Sequence, residues 1–146
     1  DLDVVHHSQF IDELIGDEKI KPKPWMDEDV TFHDPCYLGR HNDEYDAPRN
    51  VIQSILRDGE LIEMKQSKSE SFCCGAGGGN MWYEVKTGER INQNRVNQAV
   101  ETKAKTVAAA CNFCNIMLED GVKTTGNDEN VNIMDIAEMV SKGLSS

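Results

Sequence analysis

All five cysteines of this 146-residue chain fall in one pattern, C-x36-C-C-x36-C-x-x-C: Cys36, the adjacent pair Cys73 and Cys74, then Cys111 and Cys114. The pair runs directly into Gly75-Ala76-Gly77-Gly78-Gly79, and two neighbouring thiols followed by so many glycines are costly unless something binds there. An odd cysteine count with an adjacent pair is a poor disulfide framework for a secreted domain. The pattern points instead to a reducing, cytoplasmic setting and to metal ligation or thiol redox chemistry.

Hydrophobic periodicity predicts how such distant positions meet. Phe10, Ile11, Leu14 and Ile15 repeat at helical spacing within 3–20, and Lys21-Pro22-Lys23-Pro24 follows as a stiff connector. The expected division is an N-terminal helix with a Pro-containing linker over 1–28 and a cysteine-rich domain over 29–146. Within the latter, short β-branched or apolar runs at 30–33, 61–64, 106–110 and 131–134 read as strands. Helical stretches lie between them: one opening at Asp46 and ended by Gly59, one over most of 81–105 with a break at Gly88, one ending by Gly121, and a last one capped by Asp135. This alternation predicts an α/β fold with a parallel sheet of about four strands flanked by helices. Ligands bind outside the carboxyl ends of the strands in such sheets, and each cysteine group follows a predicted strand.

The chain length suits one domain with a real core, and 38% hydrophobic with 28% charged residues places it among globular proteins. A net charge of −11 excludes a nucleic-acid partner of the phosphate-binding kind. No apolar run approaches the roughly 18 residues a membrane span requires. The sequence opens on Asp1 without a secretory leader pattern, and the expectation is a part of a longer polypeptide. Between Gly75 and Ala110 the charge is locally basic, with Lys86, Arg90, Arg95, Lys103 and Lys105 against Glu84, Glu89 and Glu101. A solvated helix face is the plain reading of that stretch; the sharper one is that it balances an anionic centre. His6 and His7 read as polar residues of a first helical turn rather than ligands.

Four thiolates are enough for zinc or an ordinary iron–sulfur cluster. A fifth leaves two readings open: all five hold a cluster with an unusual iron arrangement, or four hold a metal and one remains a redox thiol. Gly75, Gly77, Gly78 and Gly79 support an anionic occupant, because their backbone N–H groups can approach closely and form a nest. A helix starting near Asn80 would add its positive end. The loop matches neither a phosphate loop, since Val85 precedes Lys86-Thr87, nor a dinucleotide loop, since Gly75-x-Gly77 ends at Asn80.

These words together resemble a known family. The five-cysteine spacing, His33-Asp34-Pro35-Cys36-Tyr37-Leu38-Gly39-Arg40, Asp46-Ala47-Pro48-Arg49, Cys73-Cys74-Gly75 with its glycines, and the segment from Arg90 to Ala99 are similar to the cysteine-rich CCG domain of heterodisulfide reductases, in their B- and D-type chains, and of related iron–sulfur oxidoreductases, including lactate and glycolate dehydrogenase subunits. The likeness is strong over about 29–122 and is that of the second, C-terminal copy of a motif the family carries in tandem. It implies an oxidoreductase domain in which Cys36, Cys73, Cys74, Cys111 and Cys114 hold a noncubane [4Fe-4S] cluster, with Cys73 and Cys74 at the catalytic centre. Electrons would arrive from other redox subunits carrying iron–sulfur clusters or flavin and pass to a small-molecule disulfide. The alternatives are an electron-transfer subunit of a flavin-linked 2-hydroxyacid dehydrogenase or quinone-linked complex, and a structural zinc module. The location implied is cytoplasmic, with any membrane association through a partner subunit. The family commonly has Pro where Asn112 stands, which loosens the inference about loop rigidity. Neither His33 nor His41 is expected as a ligand, since five thiols already exceed an ordinary set.

Because the strands and amphipathic helices can bury a core of their own, the metal-free chain should keep its sheet, unlike a zinc finger whose metal-binding energy is its folding energy. Far-UV circular dichroism with thermal melting of the chelated protein should retain a cooperative transition; its loss together with the secondary structure would put the metal in charge of the fold.

Overall fold

Three strands, β1 (Val30–His33), β2 (Thr106–Ala109) and β3 (Asn132–Asp135), pair in parallel in the order β1-β2-β3. They belong to a computed structural model that describes residues 2–83 and 87–145. Val30 pairs with Thr106 and His33 with Ala109, so β1 and β2 finish level with one another.

Side chains alternate across a strand, and here the alternation sorts the protein into layers. Val30 and Phe32 of β1, Ala108 of β2 and Met134 of β3 join one core cluster with Val51, Ile52 and Ile55 of α2 (Asp46–Ile55) and Met139 and Val140 of α5 (Ile136–Leu144). Helix α1 (His7–Gly16) packs on α2 and α5 over the same face. Val107 and Ala109 look the other way, into a cluster with Val96 and Ala99 of α3 (Ile91–Glu101) and Met117, Leu118 and Val122 of α4 (Asn112–Thr124). Side chains such as Phe32, Ile52 and Leu118 are wholly buried; each stabilises by roughly 1.5–3 kcal/mol relative to exposure.

The fold is α/β and parallel as predicted, with three strands rather than four. The 61–64 run makes one bridge, Leu61 beside Val30, through Val30 N–H to the Glu60 carbonyl (2.9 Å) and Ile62 N–H to the Val30 carbonyl (2.8 Å). It then leaves the sheet, because Glu63 reaches Arg49 and Met64 turns into the opposite cluster. Helix α1 is shorter than the predicted 3–20: the His6 ring accepts from the Ser8 amide while the Gln9 side chain accepts from the His6 amide, a reciprocal cap that starts the helix at His7. Helix α2 stops at Ile55, ahead of Gly59, whose role is close approach; a Cβ there would stand 2.1 Å from the Glu28 carbonyl oxygen.

The predicted helix over 81–105 is confined to α3, preceded by a 3-10 stretch over Gly77–Trp82. Gly88, with φ +80°, falls in the break as expected, and Glu84, Val85 and Lys86 lie outside the described residues. Helix α4 runs past Gly121. A Cβ at Gly121 would meet Val96 Cγ2 at 2.8 Å and the Asn92 carbonyl oxygen at 3.0 Å, so the missing side chain sets how closely α3 and α4 cross. Among the described residues no helix is long and apolar enough to cross a membrane.

Gly121→Val should therefore lower stability by about 1–3 kcal/mol through overpacking. Urea denaturation checks this; an unchanged midpoint would mean that the helix pair tolerates a wider crossing.

Candidate metal centre

Cys36 follows β1 after Asp34-Pro35, and Cys111 follows β2 after Ala110, so the level ends of two neighbouring strands bring them to one edge. Cys111 is the residue before α4 and Cys114 lies in its first turn. All five thiols are free; Cys74 and Cys114 are buried, while Cys36, Cys73 and Cys111 are partly exposed. Cys36, Cys73, Cys74 and Cys114 line one small pocket. Cys36, Cys111 and Cys114 also line a broad groove beside it that Val5, Tyr37 and Phe113 flank. The five predicted ligands thus surround one region.

The pair arrives differently from the prediction. No sheet strand delivers Cys73 and Cys74, and they are held instead by polar contacts to the turn after β1. Buried Asp34 takes a two-pronged ion pair from Arg49 of α2, Nη1 to Oδ1 at 2.8 Å and Nη2 to Oδ2 at 3.0 Å. Its Oδ2 also accepts the Lys68 amide at 2.7 Å, and Ser71 Oγ donates to its carbonyl at 3.2 Å. Arg40 adds a bond from Nη2 to the Ser71 carbonyl at 2.6 Å. Two residues later comes Cys73.

Of the predicted glycines, Gly75 is built into the site. Its amide donates to Cys73 Sγ at 3.2 Å, its φ is +93°, and a Cβ would press on Ile91 at 3.2 Å. Gly77, Gly78 and Gly79 are exposed, with no protein atom within 4 Å of where a Cβ would stand; positive φ at Gly78 (+66°) and Gly79 (+77°), rather than crowding, is what restricts those two. The helix expected near Asn80 is a 3-10 turn, so the helical N-terminus at the site is that of α4, with the Cys111 sulfur facing the Phe113 and Cys114 amides.

The sulfurs of Cys73, Cys74, Cys111 and Cys114 titrate together. Hydrogen bonds from the Cys114 and Cys73 thiols, with His33 adding to them, hold Cys74 well below the ordinary thiol range. Bonds to Cys111 and Cys74 push Cys114 up, and its bond to Cys74 together with burial pushes Cys73 up. Cys111 falls to about 6, first through Cys114 and then through the amides of α4. Thiolate and thiol therefore alternate, because this many anions cannot be held together by the protein alone. Full deprotonation requires a multivalent cation, the condition thiolate-ligated metals satisfy. The residues present suit such an occupant.

Sequence reasoning names Arg95 only within a basic stretch that could balance an anionic centre and His33 only as no ligand, and it misses that the two pair behind the sulfurs. His33 is 1% exposed, and its ring nitrogen lies with the sulfurs of Cys74 and Cys114 in a group whose ligand atoms are all within 4.8 Å of one another. Arg95 of α3 is wholly buried and donates to that ring. The signals are present in the sequence: His33 alternates with Val30 and Phe32 in β1, and Arg95 stands between Asn92, Val96 and Ala99 on the inward stripe of α3. Of the basic stretch, only Arg95 turns inward among the described residues; Arg90 pairs with Asp120 at 2.9 Å, Lys103 and Lys105 are exposed, and Lys86 lies outside the described residues. Arg40 and Lys68 line the small pocket in its place. His6 is the helix cap and also bonds the Ala110 carbonyl (3.1 Å), and His41 lies beside Tyr37.

The family model described as the CCG cysteine-rich domain matches residues 30–119. The chain belongs to that family. It is 39% identical, over 97% of its length, to 20% of a probable iron–sulfur-binding oxidoreductase, FadF, of Bacillus subtilis. It is 38% identical over 97% of its length to 21% of an EtfAB:quinone oxidoreductase of Syntrophomonas wolfei. It is 37% identical over 98% of its length to 34% of the D-type chain of the dihydromethanophenazine:CoB–CoM heterodisulfide reductase of Methanosarcina barkeri. The chain thus spans about a fifth to a third of these curated relatives. It is an oxidoreductase-type CCG domain related to heterodisulfide reductase and to EtfAB:quinone oxidoreductase.

In the metal-free protein at pH 7, iodoacetamide should modify Cys111 before Cys73, since the first is mostly thiolate and the second is not. Peptide mass mapping reads the order; Cys73 reacting first would show that the sulfurs are not coupled as described.

Proposed function

We propose that residues 29–146 are a redox domain whose five cysteines, Cys36, Cys73, Cys74, Cys111 and Cys114, hold an iron–sulfur centre of the noncubane [4Fe-4S] kind and pass electrons to a small-molecule disulfide. The observation that carries this is the gathering of all five thiols at one edge of the sheet: Cys36, Cys73 and the buried Cys74 and Cys114 line a pocket edged by Arg40 and Lys68, and Cys111 lines the adjoining groove with Cys36 and Cys114. When bound, such a centre supplies one-electron transfer at sulfur, chemistry no side chain offers alone. The protein's part is to hold and shape. Buried Cys74 and Cys114 exclude water from the inner side, and the Gly75 amide fixes Cys73 Sγ. The groove beside Cys36 and Cys111 gives a substrate access from outside. Residues 1–28 form an N-terminal helix and linker leading into this domain.

A second reading rests on the relatives whose names are FadF and EtfAB:quinone oxidoreductase, which match as much of the chain as the heterodisulfide reductase does. In it the same five-cysteine centre relays electrons between flavin- or cluster-bearing partners and a quinone, with no disulfide substrate. Either reading places the domain in the cytoplasm within a larger polypeptide or complex, reaching a membrane through a partner; one relative is a probable membrane-anchored ferredoxin.

Anaerobic reconstitution with iron and sulfide should give iron and acid-labile sulfide in equal amounts with an EPR-active state. Cys→Ala at any of the five positions should reduce the iron content. A protein that takes up zinc alone and never a cluster would sink the proposal, and an unaltered EPR signal in Cys114→Ala would remove Cys114 from the ligand set. Stopped-flow reoxidation of the loaded, reduced protein by a disulfide or by a quinone separates the two readings.

A further inference from the structure

His33, Cys74 and Cys114 have the look of a three-ligand metal site: all three are buried, and their ligand atoms lie within 4.8 Å of one another. What lies on the far side of the ring argues otherwise. Arg95 Nε donates to His33 Nδ1 at 2.9 Å. The remaining guanidinium bonds go to the Gln66 carbonyl (2.8 Å), Gln98 Oε1 (2.8 Å) and Ser71 Oγ (3.2 Å). None of these partners is a carboxylate, so a wholly buried cation stands beside the sulfurs with no direct counter-ion of its own among the described residues.

An arginine N–H can only donate. Nδ1 must therefore accept, which excludes both the imidazolium and the tautomer protonated at Nδ1. The one ring proton is left on Nε2, and since Nδ1 is taken by Arg95 it is Nε2–H that must make the ring's hydrogen bond to Cys74. A protonated Nε2 has no lone pair for a metal.

We propose that Arg95 is a positioning residue that withdraws His33 from the ligand set. By occupying Nδ1 it makes the ring an N–H donor to Cys74 Sγ, and its own buried charge offsets the thiolates. The consequence for an iron–sulfur centre rests on the function proposed above. Hydrogen bonds to ligand sulfur and nearby positive charge both favour the more electron-rich state of such a centre, so loss of Arg95 should move its reduction potential downward. Loss of Arg95 also frees the ring to present a lone pair at Nε2, turning an all-sulfur site into a mixed one.

The tautomer can be read without any metal. In the 15N-histidine-labelled, reduced, metal-free protein, long-range 1H–15N spectra should show His33 protonated at Nε2 and bare at Nδ1; protonation at Nδ1 or at both nitrogens overturns the proposal. Cobalt(II) alone serves as the second probe. X-ray absorption of the cobalt-loaded wild type should give a shell of sulfur without histidine nitrogen, and Arg95→Met should bring one nitrogen in. A histidine nitrogen in the wild-type shell overturns the proposal. An all-sulfur shell in a folded Arg95→Met does so as well, since the ring would then be kept out by something else. Should Arg95→Met not fold, the two wild-type measurements decide. Failure to load iron, with Nε2 protonated and cobalt bound by sulfur alone, sinks the iron–sulfur function and leaves this assignment standing.

Discussion

The ion pair between buried Asp34 and Arg49 holds the cysteine pair where a fourth strand would otherwise have done so. Arg49 approaches from α2 with both prongs on the carboxylate, while the same carboxylate accepts the Lys68 amide just ahead of the pair. One side chain thus ties three segments of distant sequence. Arg49 also bonds Glu63, and the net effect of these partners, set against the desolvation that opposes it, is to hold the guanidinium charged. Removing one partner of a buried pair typically costs about 3–5 kcal/mol because the other charge is stranded. At this position the stranded charge would sit two residues from Cys36.

Around that tie the interior is unusually polar for so small a sheet. The face covered by α1, α2 and α5 is a conventional apolar core. The face covered by α3 and α4 carries His33, Arg95 and the buried sulfurs of Cys74 and Cys114 at its upper end. Both sides of the sheet supply apolar burial, and the α3/α4 side alone carries the sulfurs and the buried guanidinium beside it.

The architecture is readable in the sequence where periodicity and cysteine spacing agree. Strands β1, β2 and β3, the start of helix α2 at Asp46, helix α5 and the Asp135 cap stand where the patterns put them, and Cys36 meets Cys111 because both follow adjacent parallel strands. The fourth strand fails because Leu61-Ile62-Glu63-Met64 has strand-like composition, and composition does not reveal that Glu63 is claimed by Arg49. The glycine run suggests one cradle, yet only Gly75 combines positive φ, burial and a bond to sulfur. The pairing of His33 with Arg95 escapes for a different reason. Each sits on a buried face, and a charged or polar residue at such a position is visible, but what it touches depends on two segments 62 residues apart.

The tight crossing of α3 and α4 at Gly121 has a consequence for how the centre is assembled. Cys111 caps helix α4, Cys114 lies in its first turn, and α3 carries the guanidinium behind them, so these three groups ride on one rigid unit. Cys36, Cys73 and Cys74 come from turns and extended chain. Two of the five sulfurs thus keep a spacing fixed by the helix pair, while the other three take theirs from the chain segments tied to Asp34. The helix pair and the polar tie are two separate anchors for one set of thiols.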